Sequence, residues 1–426
     1  MRVKWPQPFP GAYWLDQREE QAVLDVLRRQ SLFRYYGLKK PKYAEMLERT
    51  ARKFYGVKHA LAVNSGTGAL ATAMMALGMG PGCEVILPAF FWVATAGTVV
   101  HANAIPVLCE VDDSFCMDPQ DLARKITPRT RLIVPVHMAG VPCDMQAIMA
   151  IAEQHGITVL EDCAQANGGS FHGRKLGTFG ALGVFSLQWN KNATAGEGGL
   201  IVTNDAKLYE RCNAAHDLGI PWVDGAPCQD GALTWGGGRR MSELTAAVAT
   251  QQLKKLPAIV RRMRASKQRI KAALAGTPGL GFRRLNDPAG DAGPFLVLVL
   301  DDESQARRMV ERMQAAGLSS AVRLNDYGLH IYYNVRQLLK KVPLSPAGNP
   351  WNLPQNKQSV GDYRRGACPQ SDGLFARSIL LPIPSRLTRR QEEAAVKIIR
   401  SATDSAGKRH ARGGKTRSRR AIGDTE

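Results

Sequence analysis

An apolar run over residues 181–187, with Ser186 near its end, is followed by Lys191 and then by the small, Gly-rich stretch 192–199. A lysine that forms a Schiff base needs that setting: a rigid strand end to aim it, small neighbours that let a flat cofactor approach, and a partly dry site that lowers its amine pKa. A second run, residues 157–160, is β-branched and apolar like a buried parallel strand. Asp162 falls at its carboxyl end, where open α/β sheets place their ligands. An acid there either caps the next helix or holds a ring nitrogen protonated. In a third segment, residues 61–70, a short strand turns through Ser65-Gly66-Thr67 into a helix expected over about 67–79. Read locally this is an ordinary strand-to-helix turn. Its amides and dipole would also suit a phosphate, and it matches neither the P-loop nor the G-x-G-x-x-G pattern.

Taken in order, as phosphate turn, acidic strand end and lysine strand end, the three segments resemble fold type I pyridoxal-phosphate enzymes. More narrowly, they are similar to the DegT/StrS-type sugar aminotransferases. The stretches 80–96, 135–145, 161–180, 190–205 and 240–256 extend the resemblance over roughly residues 13–399. It implies an α/β fold: a large domain (12–256) with a mainly parallel mixed sheet between helices, a smaller α+β domain (257–404) and a basic tail (405–426).

The resemblance implies pyridoxal 5'-phosphate as cofactor, with roles carried over residue by residue. Lys191 is the Schiff-base lysine and proton carrier, and Asp162 pairs with the pyridinium nitrogen. Gln165 bonds the phenolic oxygen, Trp92 stacks on the ring, and Gly66, Thr67 and Ser186 hold the phosphate. Trp92 could instead be a core aromatic, and Ser186 a surface hydroxyl at a strand end. His330 matches a position that can reach the partner subunit's substrate. His137 either lines the substrate pocket or is structural, while His216 and Asp217 read as local hydrogen-bonding groups. One departure stands out. The family's asparagine before R-M-S-E, which reaches the neighbouring subunit's phosphate, is missing from Trp235-Gly236-Gly237-Gly238-Arg239-Arg240-Met241. Arg239 or a glycine-loop amide substitutes for it, or the contact is absent.

Some relatives carry histidine in place of the lysine and dehydrate, so lysine favours transamination. The activity implied is transfer from glutamate or glutamine to a keto-sugar, first of all a nucleotide-linked one, or to a keto-cyclitol. Two ping-pong half-reactions would share Lys191, in a homodimer with shared sites. A dehydratase or aminohydroxybenzoate-synthase-like enzyme on the same scaffold is the alternative. A cofactor-binding regulator with a DNA-contacting tail is a third reading, and no helix-turn-helix or RNA-binding signature supports it.

Composition agrees with a cytoplasmic enzyme. The 426 residues are 44% apolar and 22% charged, ordinary globular values with room for two domains. Eight cysteines show no C-x-x-C and no Cys/His metal spacing, so a reducing compartment and no metal are expected. Residues 89–108 lack acids, lysine and arginine but include His101, Asn103 and Pro106, which argues for buried helix and strand over a membrane span. Part of the net charge of +20 sits in residues 408–420, expected to be disordered. That charge attracts anionic substrates, contacts nucleic acid through the tail, or is simply solvated surface.

The elements that must position these residues alternate. Strand-like runs at 60–63, 84–87, 105–108, 132–136, 157–160, 183–187 and 200–203 are interleaved with helical stretches at 67–79, 145–155 and 205–218, as in a parallel sheet covered on both faces. The last two runs are too close for a crossover helix and predict a hairpin-like edge. A helix over 241–256 continues past Pro257 into 259–274. Strands at 295–300 and 379–381 and helices at 304–316 and 389–401 follow. Between them, residues 325–372 read as a long irregular segment, functional or disordered.

Overall fold

The computed structural model describes residues 3–223, 226–228, 231–359 and 361–407, without the side chains of 223 and 404–407; the basic stretch 408–420 lies outside the described residues. The seven apolar runs become one sheet: β1 (His59–Val63), β2 (Glu84–Pro88), β3 (Ile105–Cys109), β4 (Thr130–Ile133), β5 (Thr158–Asp162), β6 (Leu182–Ser186) and β7 (Gly199–Thr203). Their spatial order is β1-β7-β6-β5-β4-β2-β3. From β6 to β3 all pairings are parallel, while β7 is antiparallel to both neighbours. The expected hairpin-like edge is therefore corrected: β7 is interior, and β1 covers its outer side. The link from β6 is too short for a crossover helix, so the chain must return antiparallel.

Alternation along the strands feeds two cores. Ile86, Ile133, Val159, Phe185 and Leu200 point to one face, and Leu87, Leu132, Leu160, Val184 and Ile201 to the other. On the first face pack α1 (Gln17–Arg29), α2 (Tyr43–Tyr55) and part of α8 (Glu243–Leu274); on the second pack α3 (Gly66–Ala76) and α4 (Val93–His101). Each fully buried aliphatic side chain stabilises this sandwich by about 1.5–3 kcal/mol. The outer helices α5 (Pro119–Lys125), α6 (Met145–Gln154) and α7 (Ala206–His216) complete the layers. The buried Glu243 carboxylate accepts from the amides of Lys42, Tyr43 and Ala44, each at 2.7 Å, and so seats the first turn of α2. Acceptors of that charge at a helix start are strong and favourably placed.

Helix α8 is continuous through Pro257. Burial of Leu253, Leu256, Ile259, Val260 and Met263 along it offsets the hydrogen bond that proline removes. It leads to a second, antiparallel sheet of β8 (Gly281–Phe282), β9 (Phe295–Val299), β10 (Val322–Arg323) and β11 (Ser378–Pro382), ordered β8-β9-β11-β10. Helices α9 (Glu303–Ala315) and, later, α12 (Arg389–Gly407) pack together beside it. Residues 325–359 and 361–372 form short turns with two small α-helices, α10 (Arg336–Leu339) and the start of α11 (Pro369–Ala376). They bury Ile331, Tyr332, Leu338 and Tyr363 against the α3–α4 face, and the Tyr363 hydroxyl donates to the Pro106 carbonyl at 2.7 Å.

Candidate active site

The carboxyl ends of β5 and β6 meet the start of α3. Parallel register sets Asp162 opposite Val184, two residues before Ser186. Ser65 caps α3, its hydroxyl accepting from the Gly68 amide at 2.9 Å. Gly66 approaches β6 so closely that a Cβ there would stand 2.7 Å from the Ser186 Cβ. Together these segments wall a cavity of about 300 Å³ lined by Ser65, Gly66, Thr67, Asp162, Gln165, Ser186 and Lys191, a volume typical of small-ligand sites.

Asp162 is buried, and both its oxygens are held. Oδ2 accepts from the Thr95 hydroxyl at 2.9 Å, and Oδ1 from the Ala164 amide at 3.0 Å. The residues after it form turns, not a helix, so Asp162 caps no helix. Burial pushes its carboxyl above the ordinary range, against those two hydrogen bonds and the charge of Lys191. Burial also pushes the Lys191 amine down, and the Asp162 carboxylate partly restores it. Behind Lys191 the chain is pinned: its carbonyl accepts from the Gly11 amide at 3.0 Å, and its amide donates to the Gln188 carbonyl at 3.0 Å. Gln165 Oε1 accepts from the Ala139 amide at 3.0 Å, which leaves its NH2 group as a donor, and the Tyr327 hydroxyl oxygen accepts from this side chain.

The opposite wall is aromatic. Trp92 is 41% exposed, lines the cavity and lies 4.6 Å from the His330 ring, so it is no core aromatic. His330 stacks on Tyr327 at 4.0 Å and 12°, with Nδ1 at 3.0 Å from the Tyr327 carbonyl. Burial lowers its pKa to about 4, which keeps the ring neutral near pH 7. His330, expected to reach a partner's substrate, lines the cavity of its own chain.

His137 does not line the cavity. It is wholly buried, with Nε2 3.2 Å from Glu161 and Nδ1 accepting from the Cys143 amide at 3.1 Å. His137 lies past the end of β4, and the Glu161 it faces also accepts from the amides of Gly177, Phe179 and Gly180. Arg239 lies outside the lining as well, its Nη1 meeting the Met75 Sδ at 3.3 Å. His216 meets the Asn213 carbonyl locally through Nδ1, while its Nε2 faces Arg34 and Tyr35 from far along the chain, and Asp217 pairs with Arg240. Thr95, Gln188, Asn190, Glu197 and Tyr327 escaped sequence reasoning. Only Glu197 carried a signal, as a charged residue between glycines next to the lysine segment.

Comparison with known proteins places this geometry. The model of the DegT/DnrJ/EryC1/StrS aminotransferase family matches residues 14–400. The L-glutamine:2-deoxy-scyllo-inosose aminotransferase of Streptomyces kanamyceticus is 33% identical over 400 residues, 91% of this chain and 86% of that protein. Its namesake from Micromonospora echinospora is 39% identical over 269 residues, 62% and 63% of the two chains. Among solved structures, 3-amino-5-hydroxybenzoic acid synthase superposes with a TM-score of 0.77 at 26% identity, covering 95% of this chain and 99% of that one. S. venezuelae DesV, solved with a ketimine intermediate, gives 0.77 at 27% identity, with 95% and 99% covered.

Proposed function

The chain belongs to the DegT/DnrJ/EryC1/StrS aminotransferase family and is a pyridoxal-phosphate aminotransferase; from that premise we propose that it moves the amino group of L-glutamine to a keto-cyclitol of the 2-deoxy-scyllo-inosose type. One observation carries the assignment: Lys191, Asp162, Gln165, Trp92 and the Ser65–Thr67 helix start line a single cavity. The residues fit the cofactor. A side chain at Gly66 would fill the phosphate cradle against Ser186, and Asp162 is a buried acid with both oxygens fixed.

When bound, pyridoxal phosphate supplies an electron sink for the charge left as the donor's Cα–H bond breaks. The chain's residues do the rest. Lys191 Nζ, its amine pKa lowered by burial, takes that proton from the donor's Cα and delivers it to the cofactor's carbonyl-derived carbon within the same half-reaction, and it carries a proton the opposite way, onto the acceptor's carbon, in the second. Asp162 would hold a proton on the ring nitrogen, aimed by Thr95 and Ala164. The Gln165 NH2 group would donate to the phenolic oxygen. Trp92 offers an aromatic face, and Ser65, Gly66, Thr67 and Ser186 would receive the phosphate.

The remaining wall bears on the acceptor. Gln188, Asn190, Glu197 and His330 present hydrogen-bonding groups suited to ring hydroxyls, and Lys191 is the sole lysine or arginine among the lining residues. A neutral polyol ketone suits that wall better than a nucleotide diphosphate. We further propose a cytoplasmic homodimer. A second copy would cover Tyr36, Leu38 and Trp235, exposed by 65%, 80% and 88%, and eight free cysteines agree with a reducing compartment. Among the described residues no helix is long and apolar enough to cross a membrane.

Competition between 2-deoxy-scyllo-inosose and nucleotide-linked keto-sugars, with glutamine as donor, tests the reading. Amination of the cyclitol at a kcat/KM at least tenfold above any nucleotide sugar is expected; the reverse order overturns the acceptor class. The likeness to 3-amino-5-hydroxybenzoic acid synthase keeps the dehydratase-type reading as a second outcome, recognised by loss of water without amine transfer.

A further inference from the structure

We propose that Arg239 supplies the positive charge that balances the cofactor's phosphate, a role resting on the cofactor assignment above. The cavity wall holds two acids, Asp162 and Glu197, against one basic side chain, Lys191, which is committed to the chemistry. A phosphate monoester brings a charge of about −1.5 to −2 near pH 7, and the α3 N-terminus offsets only about half a charge. The site as lined is therefore short of cation.

Arg239 is the nearest candidate. Its carbonyl accepts from the Asn64 amide at 2.9 Å, so its side chain departs beside the residue preceding the Ser65 cap. The stem then crosses the first turn of α3, with Cδ 3.4 Å from where a Cβ on Gly68 would stand. Among the described residues no carboxylate pairs with its guanidinium, whose one side-chain contact is the Met75 thioether. A thioether is a weak acceptor and is cheaply given up. Arg240 next to it differs, being paired with Asp217. Glycine at 237 keeps the space beside the Arg239 guanidinium clear, since a Cβ there would collide with Nη1. Turning the last bonds of the side chain redirects it from Met75 toward the helix start, where a planar guanidinium binds phosphate oxygens well.

Titrating apo-protein with pyridoxal phosphate and with phosphate-free pyridoxal, followed by absorbance, tests this. Wild type should prefer the phosphorylated vitamer. Arg239→Gln should shrink that preference about tenfold or more while leaving pyridoxal affinity unchanged, and Arg239→Lys should shrink it less. Inorganic phosphate should raise the melting temperature of the wild-type apo-protein and not of Arg239→Gln. An unchanged preference, or an equal loss for both vitamers, overturns the proposal. Should Arg239→Gln fail to fold, an unaltered preference in Arg239→Lys together with no phosphate stabilisation of wild type overturns it equally. Wild type that binds neither vitamer would sink the cofactor assignment, and this role with it.

Discussion

The cavity has two walls built by different means. On one wall Asp162 and Ser186 hang on adjacent parallel strands, whose ladder sets them to the residue, and Lys191 follows in the turn after β6, pinned by Gly11 and Gln188. The Trp92–His330 wall, backed by Tyr327, depends on a segment more than 230 residues away along the chain from Trp92. It is held by the Phe91 amide donating to the His330 carbonyl at 3.0 Å and by the Phe90–Ile331 bridge. A strand end is thus a stiff mount for groups that handle protons. A docked turn is a softer mount, suited to groups that shape and exclude.

If that division holds, the largest losses come from the strand wall. Lys191→Ala should lower kcat by at least about 10³-fold, because it removes both the covalent attachment and the acid–base group. Borohydride should then no longer trap the cofactor on the protein. A variant retaining a tenth of wild-type turnover would break the comparison. Asp162→Asn comes next, with about a 10²-fold fall in kcat from the lost carboxylate, a scale common for removal of one electrostatic stabiliser. Thr95→Val leaves Asp162 Oδ2 one bond short and should cost about tenfold in steady-state kcat.

The same division explains what was legible in the sequence. Asp162 and Ser186 were readable because strand period and strand end place them locally, Lys191 because it stands between an apolar run and a Gly-rich stretch, and Gly66 because a turn between strand and helix has few forms. Thr95 was not, since its partner lies 67 residues on, and nothing in α4 marks that face. His137 follows the apolar run 132–136 and so reads as a strand end, yet β4 stops at Ile133 and the ring is captured by Glu161, a buried acid whose saturation by three loop amides no spacing announces. The turns of residues 325–359 and 361–372 carry no periodicity, and they are placed by docking on the α3–α4 face. The interior place of β7 follows from β1 pairing outside it, a choice made by the whole sheet.

A smaller effect separates the walls more sharply. Tyr327→Phe keeps the ring stacked on His330 and deletes only the hydroxyl shared with Gln165. A three- to tenfold fall in kcat is expected, with a shifted cofactor absorbance and little change in acceptor KM. A large KM effect with an unmoved spectrum would show that Tyr327 serves the substrate directly and not through Gln165.

The smallest effect is on stability and its sign is fixed by burial. His330 has a folded pKa of about 4, below its unfolded value near 6.5. The unfolded chain therefore binds more protons between these values, and the stability this neutral ring contributes is complete above pH 6.5 and lost as pH falls toward 4. His330→Gln removes that dependence. Urea unfolding of wild type minus variant should fall by about 1–2 kcal/mol across the window, allowing for partial solvent screening. His216, lowered to about 3 by burial, titrates in both proteins and cancels in the difference. A flat difference would mean that the docked turn lets water reach the ring, and that the soft wall is softer than its stacking geometry implies.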